Sequence, residues 1–199
     1  MITNIWPPLF VLSGRCSCAH RVGRAQWGQG ERSGEVESAA LGSGRLGRLF
    51  GLDHALFVYG TLQFPEVLQT LLGRVPPLEP AELTGWRAAA LPRRIYPGLV
   101  AATHGLTRGA VLSGLTAPEW AVLDAFEDDE YDLRRVRVEA RSVPVWTYVW
   151  TVAADSVDWQ RDRFAAEHLA RFAARSARWR RDPATFSDSA GPGWASPET

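Results

Sequence analysis

Two short clusters in the sequence carry residue types that suit acyl-transfer chemistry. The first is the run Phe57-Val58-Tyr59-Gly60-Thr61-Leu62, in which an apolar strand ends at a glycine. Gly60 lets the backbone come close to a ligand and leaves neighbouring N–H groups free to face outward. Such a turn could hold a carboxylate or an oxyanion. On its own, however, this pattern is more typical of an ordinary structural loop.

The second cluster is acidic and extends from Leu123 to Tyr131. It contains five carboxylates, and Asp132 follows as a sixth. Most of them must be solvated, because crowded like charges cannot all be buried in the ionised form. Glu127 directly follows Phe126 at the end of an apolar helix, so we expect it nearest the interior, with a raised pKa. The alternative is a charged, water-exposed helix end.

The first cluster needs a buried strand to position it, and the run from Ala55 to Tyr59 has the apolar character of one. Pro65 opens a short helix that Gly73 stops. Residues 79–91 and 95–101 favour two strands, the second broken by a Tyr-Pro-Gly turn signal at 96–98. Residues 109–115 predict a separate central strand.

The second cluster needs a helix in front of it. Thr116 and Glu119 form a capping-box pattern, which predicts a helix over residues 117–126. Alternation around Val136 and Val138 predicts a half-exposed strand, and the apolar run 145–152 predicts its partner. A final amphipathic helix is expected from Trp159 to Arg181, with its apolar stripe at Phe164, His168, Leu169, Phe172 and Trp179.

Composition divides the chain into three parts. Residues 1–52 lack any sustained apolar period and are predicted to be a disordered or low-complexity extension. Residues 53–182 form one predicted domain, and residues 183–199 a flexible Ser/Gly/Pro-rich tail. Lys plus Arg and Asp plus Glu each number 22, so there is no overall charge to attract nucleic acid or an anionic membrane.

Several site classes are disfavoured by the residue pattern. Cys16 and Cys18 lie far from any histidine cluster, and the histidines later in the chain lack the spacing of metal ligands. We therefore expect no metal and no cofactor. No Gly-x-Ser-x-Gly elbow occurs in the sequence. The apolar run Ile5 to Leu12 is too short to span a bilayer. The arginine-rich last helix is interpreted as a solvated face. We therefore expect a cytoplasmic protein that binds neither membranes nor nucleic acid.

Taken together, three motifs resemble the gamma-glutamylcyclotransferase-like superfamily. They are the Tyr59-Gly60-Thr61-Leu62 turn, the Tyr96-Pro97-Gly98 turn and the Leu-Asp-x-Phe-Glu segment that ends at Glu127, before Tyr131. The resemblance extends from about Ala55 to Val152, in the family's order and spacing. It is closest to the avirulence-induced-gene-like and gamma-glutamylamine cyclotransferase branches, because the glutathione and dipeptide branches place Gly after their catalytic Glu, where this chain has Asp128.

The resemblance implies an α+β fold, with a small mixed β-barrel-like sheet, flanking helices and a cavity at the mouth of the sheet. It implies that Glu127 is the acid/base residue and that the gamma-glutamyl group of a small-molecule substrate binds at the turn. The implied substrate-binding residues are Tyr59, Gly60, Thr61, Leu62 and Tyr131. The implied reaction closes the gamma-glutamyl group to 5-oxoproline and releases an amine or amino acid.

Some alternatives stay open at this point. The domain could be a non-catalytic module that keeps the same cavity for a small ligand or a partner. Tyr131 could equally be a buried core tyrosine, and Tyr96 is interpreted as turn packing. Asp128 and Asp129 are expected to be solvated, so that neither contributes to the site.

Overall fold

The computed structural model describes residues 44–49, 54–139 and 141–183 of the 199-residue chain. Its strands are β1 (Leu56–Val58), β2 (Leu78–Ala89), β3 (Gly98–Leu112), β4 (Tyr131–Val136) and β5 (Val145–Trp150). Its α-helices are α1 (Pro65–Leu72), α2 (Ala117–Phe126), α3 (Arg161–Glu167) and α4 (Leu169–Arg181). Two short 3-10 helices lie at Arg45–Arg48 and Thr61–Gln63.

The strands form one mixed sheet in the order β2-β3-β1-β5-β4. Strand β1 pairs antiparallel with β3 and parallel with β5, which places it at the centre. The predicted α+β class and mixed sheet are confirmed, but the sheet is not closed. Strands β2 and β4 are its edges, and one backbone hydrogen bond of 3.2 Å, from Glu139 N to Glu82 O, links the segment after β4 to β2.

Alternating side chains divide the core between the two faces of the sheet. Leu56 and Val58 of β1 face the helices and join a cluster that includes Trp120, Leu123 and Phe172. Phe57 and Tyr59 point to the opposite face, where they pack with side chains of the other strands. On this second face, side chains of different strands pack against one another. The sheet must therefore curl strongly, even though its edge strands β2 and β4 do not pair.

The helix ends follow the predicted capping chemistry. At the start of α2, the Glu119 N–H donates to Thr116 Oγ1 at 3.4 Å, and the Thr116 N–H donates to Glu119 Oε2 at 2.8 Å. Helix α1 begins with Pro65 and ends at Gly73, which has a φ of 75°, in the left-handed region. A glycine suits that position, since it has no Cβ to clash there. The capping box therefore fixes the start of the helix that ends at Glu127.

Three predicted boundaries were wrong. Residues 98–112 form one strand. Residues 98–101 and 106–112 pair with β2, and the register shifts across residues 102–105, whose side chains are exposed or half-buried and therefore carry no apolar run. Strand β4 begins at Tyr131 instead of near residue 135, within the acidic cluster. The last helix is divided at His168, whose φ of −125° and ψ of −28° interrupt the helical path.

Residues 44–49 pack against the domain, although the sequence analysis placed them in the extension. Leu46 and Leu49 are 5% and 3% exposed and belong to the main core cluster. A segment this short is below the length at which an apolar period becomes visible, which is why the sequence pattern missed it. The predictions for residues 1–43, 50–53 and 184–199, including the flexible tail and both cysteines, lie outside the described residues.

Candidate functional site

A cavity lies where the end of β1, the start of β3, the end of α2 and the start of β4 meet. The cavity is small, with a volume of about 40 Å³. It is lined by both clusters that the sequence analysis selected. The lining residues are Phe57, Val58, Tyr59, Gly60, Thr61, Leu62, Tyr96, Pro97, Phe126, Glu127, Asp128, Tyr131, Tyr148 and Phe172.

The turn after β1 forms part of the lining of this cavity. A 3-10 helix begins at Thr61, and the first N–H groups of a helix have no acceptor within it. Thr61 and Leu62 are 8% and 4% exposed, so this backbone is well packed. The side-chain amide of Gln63 donates to Tyr59 O at 2.7 Å and ties the turn to the end of the strand. The turn can thus present N–H donors in a fixed geometry.

Gly60 is required by a close approach within the protein. Its φ is −104°, outside the left-handed region, so backbone conformation alone does not require a glycine here. A Cβ on Gly60 would lie 3.0 Å from Pro97 Cγ and 3.2 Å from Cδ, which is tighter than ordinary packing. Because Pro97 also lines the cavity, the glycine keeps the turn and the opposite wall close together.

Replacing Gly60 by alanine is therefore expected to disturb the cavity more than the fold. The added methyl group pushes against the Pro97 ring, which moves one cavity wall. We expect Gly60→Ala to weaken ligand binding about tenfold or more while it destabilises the protein by roughly 1–2 kcal/mol. Calorimetric titration together with thermal unfolding measures both. An unchanged ligand affinity would show that the turn is not part of the site.

Tyr59 and Tyr131 brace this geometry with their hydroxyl groups. The Tyr59 hydroxyl donates to Tyr148 O at 2.8 Å and accepts from the Leu99 N–H at 3.0 Å. The Tyr131 hydroxyl donates to Pro97 O at 2.6 Å. Burial raises the pKa of both hydroxyl groups well above 10.0, so both stay protonated at physiological pH. Tyr131 is both cavity-lining and core, since it is 5% exposed.

Glu127 faces the same cavity from the C-terminal end of α2. Burial raises the pKa of its carboxyl group from 4.5 to about 8, and the Asp128 charge adds to the rise. Arg45 opposes the rise through its positive charge. Within residues 44–49, 54–139 and 141–183, no side chain donates a hydrogen bond to the Glu127 carboxylate. The group is thus available to exchange a proton with a bound molecule near neutral pH.

Asp128 is buried, and the expectation that it would be solvated was wrong. It is 7% exposed, and its Oδ2 accepts hydrogen bonds from Arg94 Nη1 and from the Tyr96 hydroxyl. Its Oδ1 is buried without a hydrogen-bond partner among the described residues. Burial raises the pKa of Asp128, although the Tyr96 hydrogen bond and the Arg94 charge oppose the rise. Arg94 also donates to Glu130 Oε1 at 2.7 Å, so it connects two carboxylates of the acidic cluster.

Sequence reasoning therefore missed three contributors to this site. Tyr96 was interpreted as turn packing, whereas it lines the cavity and binds Asp128. Arg94 and Tyr148 were not selected, since neither belongs to a motif with recognisable spacing. A weak signal for Arg94 was present, because the adjacent arginines Arg93 and Arg94 precede the Tyr-Pro-Gly turn, and such a cation could neutralise a distant carboxylate cluster.

Two further observations limit the kinds of site that the described residues offer. The described part of the chain contains no group of three or more His, Cys, Asp or Glu side chains that could hold a metal ion. No helix in these same ranges is long and apolar enough to cross a membrane.

Comparison with known proteins agrees with the architecture. The model of the family "Gamma-glutamyl cyclotransferase, AIG2-like" matches residues 56–168, which include both cavity-lining clusters. The chain belongs to this family. A solution structure of an Arabidopsis thaliana protein is similar, with a TM-score of 0.50 and 27% identity, and the match covers 69% of this chain and 90% of that one.

The curated relatives are plant proteins. AIG2-like protein C of Arabidopsis thaliana is 44% identical over 99 residues, which cover 48% of this chain and 58% of the relative. AIG2-like protein A of the same plant is 37% identical over 106 residues, which cover 51% of this chain and 64% of the relative. The chain thus spans less than two thirds of the length of these two relatives. The names of these two relatives state no reaction and no substrate.

Proposed function

We propose that this protein cyclises the gamma-glutamyl group of a small molecule to 5-oxoproline and releases an amine or amino acid. The observation that carries the proposal is the Glu127 carboxyl group, which faces the cavity opposite the Gly60 turn and has its pKa raised to about 8. A titratable group near physiological pH and backbone N–H donors share one narrow pocket. An intramolecular aminolysis needs both an acid/base group and hydrogen-bond donors to the oxyanion.

The substrate itself supplies the nucleophile. The α-amine of a gamma-glutamyl compound can reach its own γ-carbonyl carbon and close a five-membered lactam, so proximity is built into the molecule. No nucleophilic side chain is then required. The described residues that line the cavity include no Cys, Ser or Lys. The protein has to bind the substrate in a folded-back conformation and move protons from its amine to the departing nitrogen.

In the proposed reaction, the Glu127 carboxylate first removes a proton from the substrate ammonium group. The freed amine attacks the γ-carbonyl carbon, a carbon–nitrogen bond forms, and the carbonyl oxygen becomes an oxyanion. N–H groups of the turn at Thr61 and Leu62 are the candidate donors to that oxyanion. Protonated Glu127 then gives its proton to the departing nitrogen, whose bond to the carbonyl carbon breaks. The ring nitrogen passes its remaining extra proton to the departing amine, which leaves as an ammonium ion, and Glu127 ends as a carboxylate. Neither water nor a cofactor is consumed.

The raised pKa fits both halves of this cycle. A carboxyl group with a pKa near the working pH can accept a proton from an ammonium group and can also donate one to a leaving amine. Because the carboxylate form starts the reaction, kcat/KM is expected to rise with pH until about 8 and then to level off.

The test is to incubate the purified full chain with a panel of gamma-glutamyl amines and gamma-glutamyl amino acids and to detect 5-oxoproline by mass. Formation from at least one substrate, abolished in Glu127→Gln, supports the proposal. If a panel member binds but no 5-oxoproline forms at any pH between 6 and 9, cyclotransfer is excluded for that panel. The protein would then be a binding module of the same fold.

A further inference from the structure

Arg45 binds the backbone of the segment that carries Glu127. Its Nη2 donates to Asp124 O at 2.7 Å and to Glu127 O at 3.2 Å. Its Nη1 donates to Asp128 O and to Tyr131 O, both at 2.9 Å. Its Nε lies 3.0 Å from Asp124 Oδ1. One side chain therefore contacts the backbone on both sides of the candidate acid/base residue.

These contacts provide hydrogen-bond donors to backbone carbonyl groups at the end of α2. The last four carbonyl groups of a helix lack partners within the helix, and burying them unpaired is costly. The carbonyls of Asp124 and Glu127 are at this end, Asp128 follows in the turn to β4, and Tyr131 is the first residue of that strand. A guanidinium group is suited to the task, because it presents five N–H donors in one rigid plane.

Arg45 is itself held in place. Leu46 and Leu49, next to it in the chain, are buried in the main core. The Arg45 Cζ atom lies 5.5 Å from the centroid of the Tyr148 ring. The Tyr148 hydroxyl group donates to Asp124 Oδ1 at 3.0 Å, so Asp124 receives donors from both side chains. The N-terminal segment thus brings an anchored cation to the back of the cavity.

We propose that Arg45 is a positioning residue for Glu127, holding the turn between α2 and β4 so that the carboxyl group stays in the cavity. The proposal rests on the function proposed above for Glu127. Residue 45 lies outside residues 56–168, the part of the chain that matches the family model. This protein therefore completes its site with a residue from a segment that the family model does not include.

The titration of the Glu127 carboxyl group provides a readout of this role, because the charge of Arg45 acts on it. Arg45 lowers the pKa of Glu127, against the rise that burial and the Asp128 and Asp124 charges produce. The other titratable groups around the carboxyl group are the hydroxyls of Tyr59, Tyr131, Tyr148 and Tyr96, together with Arg94, which pairs with Asp128. Arg45 also lowers the pKa of Tyr148, but burial keeps that pKa well above 10.0, so Tyr148 stays protonated throughout the Glu127 titration. A change in the Glu127 titration therefore reports on Arg45.

The experiment compares Arg45→Met, Arg45→Lys and Arg48→Met in the full chain. Arg48 is the matched control, because it lies in the same 3-10 helix, is 47% exposed and pairs with Asp132 on the surface. The Glu127 carboxyl group is titrated by carbon-13 NMR in the ligand-free protein, and its signal is assigned by its loss in Glu127→Gln. The 5-oxoproline assay then gives kcat and KM for each variant.

Arg45→Met is expected to raise the Glu127 titration midpoint by at least about 0.5 units, since a nearby positive charge is removed. It should also lower kcat by roughly 10- to 100-fold with a smaller effect on KM, because a misplaced proton shuttle slows chemistry more than binding. Arg48→Met should match the parent in both measurements. Arg45→Lys keeps the charge but not the planar fork, so it should restore the titration midpoint more than kcat.

An unchanged midpoint together with an unchanged kcat in Arg45→Met would overturn the proposal. If Arg45→Met does not fold, Arg45→Lys decides, and parental kcat in that variant would equally overturn it. Should the parent form no 5-oxoproline from any substrate, the proposed function fails. The NMR titration still shows whether Arg45 acts on the Glu127 carboxyl group, so the two failures are distinguishable.

Discussion

Glu127→Gln is expected to lower the rate of 5-oxoproline formation by about 10²- to 10⁴-fold, the usual contribution of general acid–base catalysis. Glutamine keeps the size and shape of the side chain but cannot exchange the proton. The cavity wall should survive the change, because within the described residues the Glu127 carboxylate accepts no side-chain hydrogen bond that would be lost. Substrate affinity should therefore change little, and kcat should carry the loss.

Asp129 offers a matched control for this variant. It lies two residues further along the same acidic cluster, but its side chain is exposed. Asp129→Asn removes one negative charge without touching the cavity, so turnover is expected to stay within a few fold of the parent. Parental turnover in Glu127→Gln, with an active substrate in hand, would show that another group moves the proton.

The same variant has a consequence for stability, and its sign follows from the pKa. Burial raises the pKa of Glu127 from 4.5 to about 8, so the folded protein holds this proton more tightly than the unfolded chain does. The stability associated with the protonated form is present below pH 4.5 and is lost as pH rises toward 8. Glutamine never ionises, so at pH 8.5 Glu127→Gln should be more stable by on the order of 2–4 kcal/mol.

A different outcome is that Glu127→Gln is more stable than the parent at high pH while no substrate of the parent is detected. A carboxyl group that costs stability and serves no reaction would indicate a site kept for binding alone. The cavity, the turn and Tyr131 would then belong to a ligand-binding module. Parallel measurements of unfolding and turnover on Glu127→Gln separate these two cases.

The candidate site was largely accessible to sequence reasoning because its two clusters are local. The turn after β1 and the Glu127 segment each carry their signal within a few neighbouring residues, and the structure brings both to one cavity. Arg45 and Arg94 were missed because each acts on residues far away in the chain. Arg45 contacts backbone oxygens more than 75 residues away, and no local pattern encodes such a contact.

In the fold, too, features with a local sequence signal were predicted, and features that depend on distant residues were missed. Helix α2 was predicted correctly at both ends, since the capping box and the apolar face are local features. Strand β3 was divided in two, because residues 102–105 in its middle lie at a register shift and are exposed or half-buried, so no apolar run continues through it. Asp128 was assigned to solvent for a related reason. Its burial depends on Arg94 and Tyr96, which lie more than 30 residues before it.

Arg94→Met is expected to destabilise the protein by about 2–4 kcal/mol and to lower its melting temperature by roughly 6–14 °C. The Asp128 side chain is 3% exposed and Arg94 is 27% exposed, so the variant leaves a buried carboxylate without its counter-ion. Breaking a fully buried pair costs about 3–5 kcal/mol, and the partial exposure of Arg94 lowers that figure. The exposed pair of Arg108 with Glu82 is the control, and Arg108→Met should cost less than about 1 kcal/mol.

The pH dependence and a double variant identify the cause of this loss. Without Arg94, the pKa of Asp128 rises further, so the destabilisation should be small at low pH, where Asp128 is protonated, and should grow as pH rises. Adding Asp128→Asn removes the unpaired charge, and Arg94→Met/Asp128→Asn should recover at least half of the loss. A loss that is equal at pH 4 and pH 8, and that the second change does not reduce, would mean that Arg94 acts through packing against Trp150, whose ring centroid lies 5.2 Å from its Cζ atom, instead of through charge.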